Sequence, residues 1–148
     1  MRIRTLRLPE VRRVGGDYVI SRCPSLEDLR LPKLEKAGYA LASHCTSLVN
    51  LELPELREVG GCFAQHCPSL DDLRLPRLEK AGHCFAHGCI SLSTLTLPRL
   101  GKAGSDFASC CTSLADLYLP ELKEAGDWFA YKCQLLPKEA IPTCVSDH

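Results

Sequence analysis

A repeat of 22 residues runs through the chain and constrains its fold more than any other feature. The dipeptide Leu-Pro begins at residues 8, 31, 53, 75, 97 and 119, and Ile141-Pro142 continues the series. The first step is 23 residues long and each later step is 22. A unit of this length cannot bury its apolar side chains alone, whereas stacked copies bury a continuous core. The sequence therefore predicts a solenoid in which each repeat packs on its neighbours.

The first half of each repeat has the apolar pattern of a short strand. In the fourth copy, Leu73 and Leu75 alternate with Arg74, so the two leucines point to one side and the arginine to the other. Pro76 follows, and proline cannot donate a hydrogen bond to a strand ladder. We therefore expect one strand per repeat, ended by the proline.

The second half of each repeat has the apolar spacing of a helix. Phe107, Cys111 and Leu114 have the spacing of one face of a helix about two turns long, and Ser105 or Asp106 is available as its N-cap. The glycine of the preceding Leu-x-x-Ala-Gly segment is expected to permit a left-handed turn. The predicted fold class is α/β, a solenoid with a parallel sheet on the concave face and short helices or turns on the convex face. Residues 1–148 form one domain of six repeats of 22 or 23 residues plus a terminal strand.

These motifs resemble a known family of repeats. The recurring Leu-x-x-Leu-x-Leu pattern resembles the leucine-rich-repeat superfamily, and "FAxCxSLxxLxLP" is most similar to its BspA-like (Treponema-type) class. The resemblance covers nearly the whole chain. It implies a scaffold that binds a partner, and it does not identify that partner.

Charge and hydropathy exclude several classes of partner. The chain has 18 Lys and Arg residues against 18 Asp and Glu residues, so no basic surplus favours nucleic acid. It has neither an apolar run of about 18 residues nor the features of a signal peptide, so we expect no membrane insertion. Ten cysteines without an export signal indicate a reducing compartment. The expected location is cytoplasmic, with delivery into a host cytosol as an open alternative.

Residues 83–89, "HCFAHGC", contain the residue types of half a zinc site. In the alignment of the repeats, however, Cys89 belongs to a cysteine column at positions 23, 45, 67, 89, 111 and 133. Stacking spreads the cysteines of such a column along a line, so their sulfur atoms do not surround a single metal ion. His83 and His87 share the predicted helix face, with His66 as the third ligand of an alternative site, but their columns are variable and polar. The sequence therefore predicts buried free thiols, no metal site and no cofactor.

Cys62 and Cys84 occupy the same column of adjacent repeats, so a disulfide has to be considered. Their column also holds alanine, aspartate and tryptophan, and we expect it to face solvent. Neighbouring helices pack about 8–10 Å apart, whereas a disulfide needs Cα atoms within about 7 Å. We therefore expect free thiols here, and accidental oxidation at Cys110 and Cys144.

The outward side chains of the strands predict a surface for a protein partner. Arginine and aromatic residues dominate binding hot spots, which favours Arg74 and Tyr118. The predicted partner-binding residues are Asp28, Arg30, Asn50, Glu52, Asp72, Arg74, Thr96, Asp116 and Tyr118.

No catalytic set is evident. The serines of the Ser-Leu column have no histidine and carboxylate fixed beside them, and single turn glycines form no phosphate-binding loop. The sequence therefore predicts a non-enzymatic protein–protein interaction scaffold. The alternative is a substrate-targeting leucine-rich-repeat fragment of a larger bacterial effector or enzyme, which a longer open reading frame would distinguish.

The two ends of the predicted solenoid differ. Ile3, Leu6 and Leu8 belong to a first strand that no helix or polar cap precedes, which leaves an unpaired edge. We expect an end-to-end homodimer through this edge. At the other end Glu139 replaces a strand leucine, which indicates the intended stop of the array.

Overall fold

The computed structural model describes residues 2–145, and nearly all of its regular structure is parallel β-strand. Strands of three and of two residues alternate along the chain. They are β1 (Thr5–Arg7), β2 (Arg13–Val14), β3 (Asp28–Arg30), β4 (Lys36–Ala37), β5 (Asn50–Glu52), β6 (Glu58–Val59), β7 (Asp72–Arg74), β8 (Lys80–Ala81), β9 (Thr94–Thr96), β10 (Lys102–Ala103), β11 (Asp116–Tyr118) and β12 (Glu124–Ala125).

The odd-numbered strands form the front of the solenoid, and the even-numbered strands form a second sheet. The second sheet is continuous, and its six even-numbered strands, from β2 to β12, lie side by side in chain order. The front strands form two parallel sheets of three strands, β1-β3-β5 and β7-β9-β11. Leu29 pairs with Leu6 on one side and with Leu51 on the other, so each column of the aligned sequence is a column in space. The predicted parallel solenoid is confirmed.

The repeat pattern does not reveal the second sheet. Each of its strands has two residues, which are too few to form a visible apolar alternation. In β4, Ala37 is buried and Lys36 is exposed, and the register pairs Lys36 with Glu58 of the next repeat. The segment before each glycine is therefore a strand. The sequence pattern indicates only that this segment leads into a turn.

The glycine that follows each two-residue strand is required by close packing. Within residues 2–145, Gly88 is the only glycine with a positive φ, so the expected left-handed turn at the Ala-Gly glycines is wrong. A Cβ atom on Gly82 would lie 2.6 Å from the carbonyl carbon of Gly60, and one on Gly104 would lie 2.6 Å from the amide nitrogen of His83. Adjacent repeats approach so closely at this corner that a side chain does not fit.

The predicted helices are wrong. No α-helix occurs in residues 2–145. In the second half of the repeat, alternate residues take left-handed backbone angles, with φ of 56° at Cys84, 54° at Ala86 and 75° at Gly88. The Cys84 N–H donates to the carbonyl of Ser105 in the next repeat, and the Ala86 N–H donates to Phe63 in the preceding one, both at 2.8 Å. Hydrogen bonds between repeats replace those within a helix, and the α/β class is corrected to an almost entirely β solenoid.

Every repeat contributes the same columns to one continuous core. The strand leucines Leu29, Leu73 and Leu95 are fully buried. A column of phenylalanines runs beside them, and its rings stack with centroids 5.0 to 5.2 Å apart. The stacked rings are Phe63, Phe85, Phe107 and Phe129.

The ends depart from the repeat. Lys138–Ala140 form a 3-10 helix where the sequence predicts the terminal strand, and Glu139 lies exposed within it. At the other end β1 and β2 are edge strands, and Ile3 is 42% exposed. Between residues 2 and 145 the structure has no helix long and apolar enough to cross a bilayer.

Candidate functional site

All nine predicted partner-binding residues lie on the front strands. Each is the first or third residue of a three-residue strand, so its side chain points away from the leucine between them. The side chains of Arg30, Glu52 and Arg74 are 48%, 61% and 68% exposed. Tyr118, at the end of β11, is 57% exposed. The front strands therefore present these side chains as one polar surface.

The front ladder is interrupted between β5 and β7. Other neighbouring front strands are joined by backbone hydrogen bonds, such as Leu31 N–H to Glu52 O at 3.1 Å and Leu75 N–H to Thr96 O at 3.2 Å. In the part of the chain that the structure describes, no ladder pair joins β5 to β7. The second sheet continues through this level, because Glu58 pairs with Lys80. The second sheet thus keeps the repeats joined at this level, while the front strands β5 and β7 are separated.

A cleft of about 370 Å³ lies at this interruption. Six of the nine predicted residues line it, namely Asp28, Arg30, Asn50, Glu52, Asp72 and Arg74. Nothing in the sequence distinguishes this level, because the repeat step there is 22 residues as elsewhere. The cleft is a feature that sequence reasoning missed.

The charges in the cleft are predominantly acidic. Arg30 donates from Nε to Asp28 Oδ1 at 3.1 Å and lies 3.6 Å from Glu52 Oε2. Arg74 pairs with Asp72 of its own strand at 3.1 Å. Asp71 also lines the cleft, so four carboxylates face two guanidinium groups. The cleft therefore carries a negative surplus, and both of its cations already contact acidic partners.

The cysteine column forms a ladder of structural thiols. Cys67, Cys89 and Cys111 are fully buried and Cys23 is half-buried, so the expectation of six buried thiols is wrong at Cys23. The Cys89 thiol donates to the carbonyl of Ala64, 25 residues earlier, at 3.0 Å. Burial raises the pKa of Cys67 to about 12. The thiols of Cys67, Cys89 and Cys111 are spread along the core, and burial keeps them protonated near neutral pH.

A second group of cysteines converges with a histidine. The Sγ atoms of Cys62 and Cys84 and a ring nitrogen of His83 lie within 4.8 Å of one another. Cys62 is buried and Cys84 half-buried, so the expectation that this column faces solvent is wrong at both residues. Burial is the main cause that raises the pKa of Cys84 to about 11. Both thiols are free.

The metal-binding alternative considered from the sequence used different residues. His66 does not join His83. Its ring lies against His44 and His87, with centroids 5.0 and 5.2 Å apart. Desolvation, followed by the charges of the two neighbouring imidazoles, lowers the pKa of His66. The three rings form a row along the turn segments.

His87 lies beside a serine, but the pair is not arranged for nucleophilic catalysis. His87 Nδ1 is 2.5 Å from Ser109 Oγ, and that hydroxyl donates to the carbonyl of Asp106 at 3.2 Å. Ser109 is only 1% exposed. A substrate has no access to this oxygen.

The register, the strand face and the buried columns together define a leucine-rich-repeat solenoid. The chain belongs to the family described as the BspA type leucine rich repeat region, which matches in six copies over residues 1–85 and 60–146. This confirms the resemblance that the repeat motif indicates.

Among solved structures, the chain is similar to the leucine rich repeat protein of T. pallidum (TpLRR). The two share 21% sequence identity with a TM-score of 0.67, and the match covers 95% of this chain and 81% of that one. At this identity the likeness shows a common fold. No curated protein matches the chain.

Proposed function

We propose that this chain is a non-enzymatic protein–protein interaction scaffold that binds its partner on the front strands. The observation that carries the proposal is the cleft between β5 and β7, which opens within a row of exposed polar side chains. Solenoids of stacked repeats commonly bind partners on an extended strand surface. The buried Ser109 beside His87 supports the non-enzymatic assignment.

Two residues on this surface are the proposed anchors. Arg74 borders the cleft with a side chain that is 68% exposed, and Tyr118 lies two front strands further along. Tyrosine and arginine are enriched among residues that dominate binding energy, because each buries a large area while keeping a polar group. A partner that spans from the cleft to β11 would cover both.

The acidic surplus of the cleft favours a partner that presents a basic side chain. Asp71 lines the cleft with no ion pair among residues 2–145, while Asp72 is already paired with Arg74. An arginine or lysine entering the cleft would gain charge-assisted hydrogen bonds there. Because these charges are exposed, the association should weaken as salt increases.

The proposal is tested by affinity capture from the native source. The double variant Arg74→Glu/Tyr118→Ala should fail to retain the protein captured by the wild type. Lys80→Glu/Tyr131→Ala makes the same kinds of change on exposed residues away from the front strands and should retain it. A partner retained by the first variant and lost by the second would place the binding surface elsewhere.

A further inference from the structure

We propose that Cys62, His83 and Cys84 form a binding site for one Zn²⁺ ion. His83 and Cys84 belong to the "HCFAHGC" segment, and Cys62 comes from the preceding repeat. The backbone brings them together because the Cys62 N–H donates to the carbonyl of His83 at 2.7 Å. Two sulfur ligands and one imidazole are a donor set that zinc prefers.

The spacing of the three ligand atoms fits a tetrahedral zinc centre. Zn–S bonds of about 2.3 Å and Zn–N bonds of about 2.0–2.1 Å place sulfur and nitrogen about 3.6 Å apart at the tetrahedral angle. Cys62 Sγ lies 3.9 Å from His83 Nε2, and all three ligand atoms lie within 4.8 Å of one another. Small side-chain rotations close the remaining difference.

The chain provides a recess for the histidine ring. Gly61 is buried beneath it, and a Cβ atom at Gly61 would collide with the imidazole of His83. Other repeats carry a side chain in this column, for example Tyr39 and Ser105. The absence of a side chain at residue 61 is therefore what allows the ring to lie beside Cys62.

Two neighbouring residues complete the surroundings of the site. The Cys62 thiol donates to the hydroxyl of Tyr39 at 3.2 Å. When zinc replaces the thiol proton, this hydroxyl can rotate and donate to the thiolate, as partners beyond the metal ligands often do. Asp106 occupies the column of Cys84 one repeat later, and its charge acts on Cys84. Its carboxylate adds negative charge beside the site, and a water molecule would take the fourth position on the zinc.

The other repeats supply substitutions that the backbone already accommodates. Ala40 occupies the column of Cys62 and Cys84 with a left-handed φ of 62°, so Cys62→Ala and Cys84→Ala are compatible with the turn. Ser105 occupies the column of His83, which makes His83→Ser the matching change. His87→Ser is the control, because it removes the other histidine of "HCFAHGC" and its column elsewhere contains serine.

The test is a titration of the reduced, metal-stripped full chain with Co²⁺, which reports thiolate ligation by a charge-transfer band, followed by displacement with Zn²⁺. The wild type should bind one equivalent with tetrahedral spectra, and Zn²⁺ should raise its melting temperature. Each of the three ligand variants should bind at least about tenfold more weakly, while His87→Ser binds like the wild type. Asp106→Ala should weaken binding while keeping the thiolate band.

Several outcomes would overturn the proposal. The proposal is excluded if the wild type shows no cobalt–thiolate charge-transfer band. It is also excluded if that band persists in both Cys62→Ala and Cys84→Ala. A wild type that forms a Cys62–Cys84 disulfide even under reductant and takes up no metal would assign the pair to redox chemistry. The melting temperatures of the metal-free variants show whether each one has folded, so weak binding is interpreted only for folded protein.

Discussion

Replacing Phe85 with alanine should destabilise the protein by an amount that depends on the stacked phenylalanine column. Phe85 is fully buried, and its ring stacks on Phe63 at 5.2 Å and on Phe107 at 5.0 Å. The substitution removes a large side chain from the middle of the core, where the repeats on either side are held by their own hydrogen bonds. The vacated space can therefore close only in part.

The expected loss of unfolding free energy is about 4–5 kcal/mol. Truncation of a buried phenylalanine to alanine costs about 3–5 kcal/mol, and each aromatic contact contributes about 0.5–1.5 kcal/mol beyond the buried area. Phe85 makes two such contacts, which places it near the top of the range. For a chain of this size, the melting temperature should fall by roughly 8–20 °C.

Two matched variants separate ring stacking from simple volume. Leu41 occupies the same column in an earlier repeat, so Phe85→Leu keeps an apolar side chain that the fold already accepts and should cost about 1–2 kcal/mol. Phe129 stacks on Phe107 at the end of the column and is 6% exposed. Phe129→Ala should therefore cost less than Phe85→Ala.

Urea denaturation monitored by circular dichroism measures these differences directly. The order of destabilisation should be Phe85→Ala, then Phe129→Ala, then Phe85→Leu. If Phe85→Ala lies within about 1 kcal/mol of the wild type in unfolding free energy, or if the alanine and leucine variants are equally stable, the phenylalanine column does not act as a packed stack.

Three further predictions concern the thiols, the histidines and the first repeat. Thiol reagents under native, reducing conditions should modify exposed Cys144 quickly and Cys89 slowly, because burial raises the pKa of Cys89 well above its ordinary value; rapid labelling of Cys89 would contradict the buried ladder. The pKa of His66 is lowered in the folded state, so the unfolded chain protonates first and stability should fall as pH drops below about 6.5. His66→Ala should flatten this dependence in pH-dependent denaturation, and an unchanged slope would count against it. Light scattering over a concentration series should show wild-type dimers and monomeric Leu6→Lys, and a wild type that stays monomeric at high concentration would exclude the end-to-end dimer.

The periodicity of the chain determines which residues share a column. Because the repeat step is constant over most of the chain, stacking places Leu29, Leu51 and Leu73 above one another whatever the path between them. The same argument places the cysteine ladder in the core and the predicted binding residues on one strand face. These features follow from the alternation of apolar and polar residues in each strand and from the constant repeat length, so the sequence alone is sufficient to predict them.

The path of the second half of the repeat depends on tertiary structure. A helix and a chain of alternating left-handed residues both bring Phe107 and Cys111 to the inward side, so the apolar spacing does not distinguish them. The left-handed conformation costs about 1–2 kcal/mol for each residue other than glycine, and it is adopted because N–H groups such as that of Ala108 then bond to the adjacent repeat. Those partners exist only once the repeats have stacked.

The stacking of the repeats also determines which side chains lie close together on the surface. Helices about 8–10 Å apart would keep Cys62 and Cys84 separate, whereas turn segments joined by backbone hydrogen bonds bring both sulfurs to His83. The interruption of the front ladder between β5 and β7 likewise has no counterpart in the repeat pattern. The repeat pattern is enough to predict the solenoid, its columns and its strand face. The cluster of Cys62, His83 and Cys84 and the cleft depend on the distances between neighbouring repeats, which a periodic pattern does not specify.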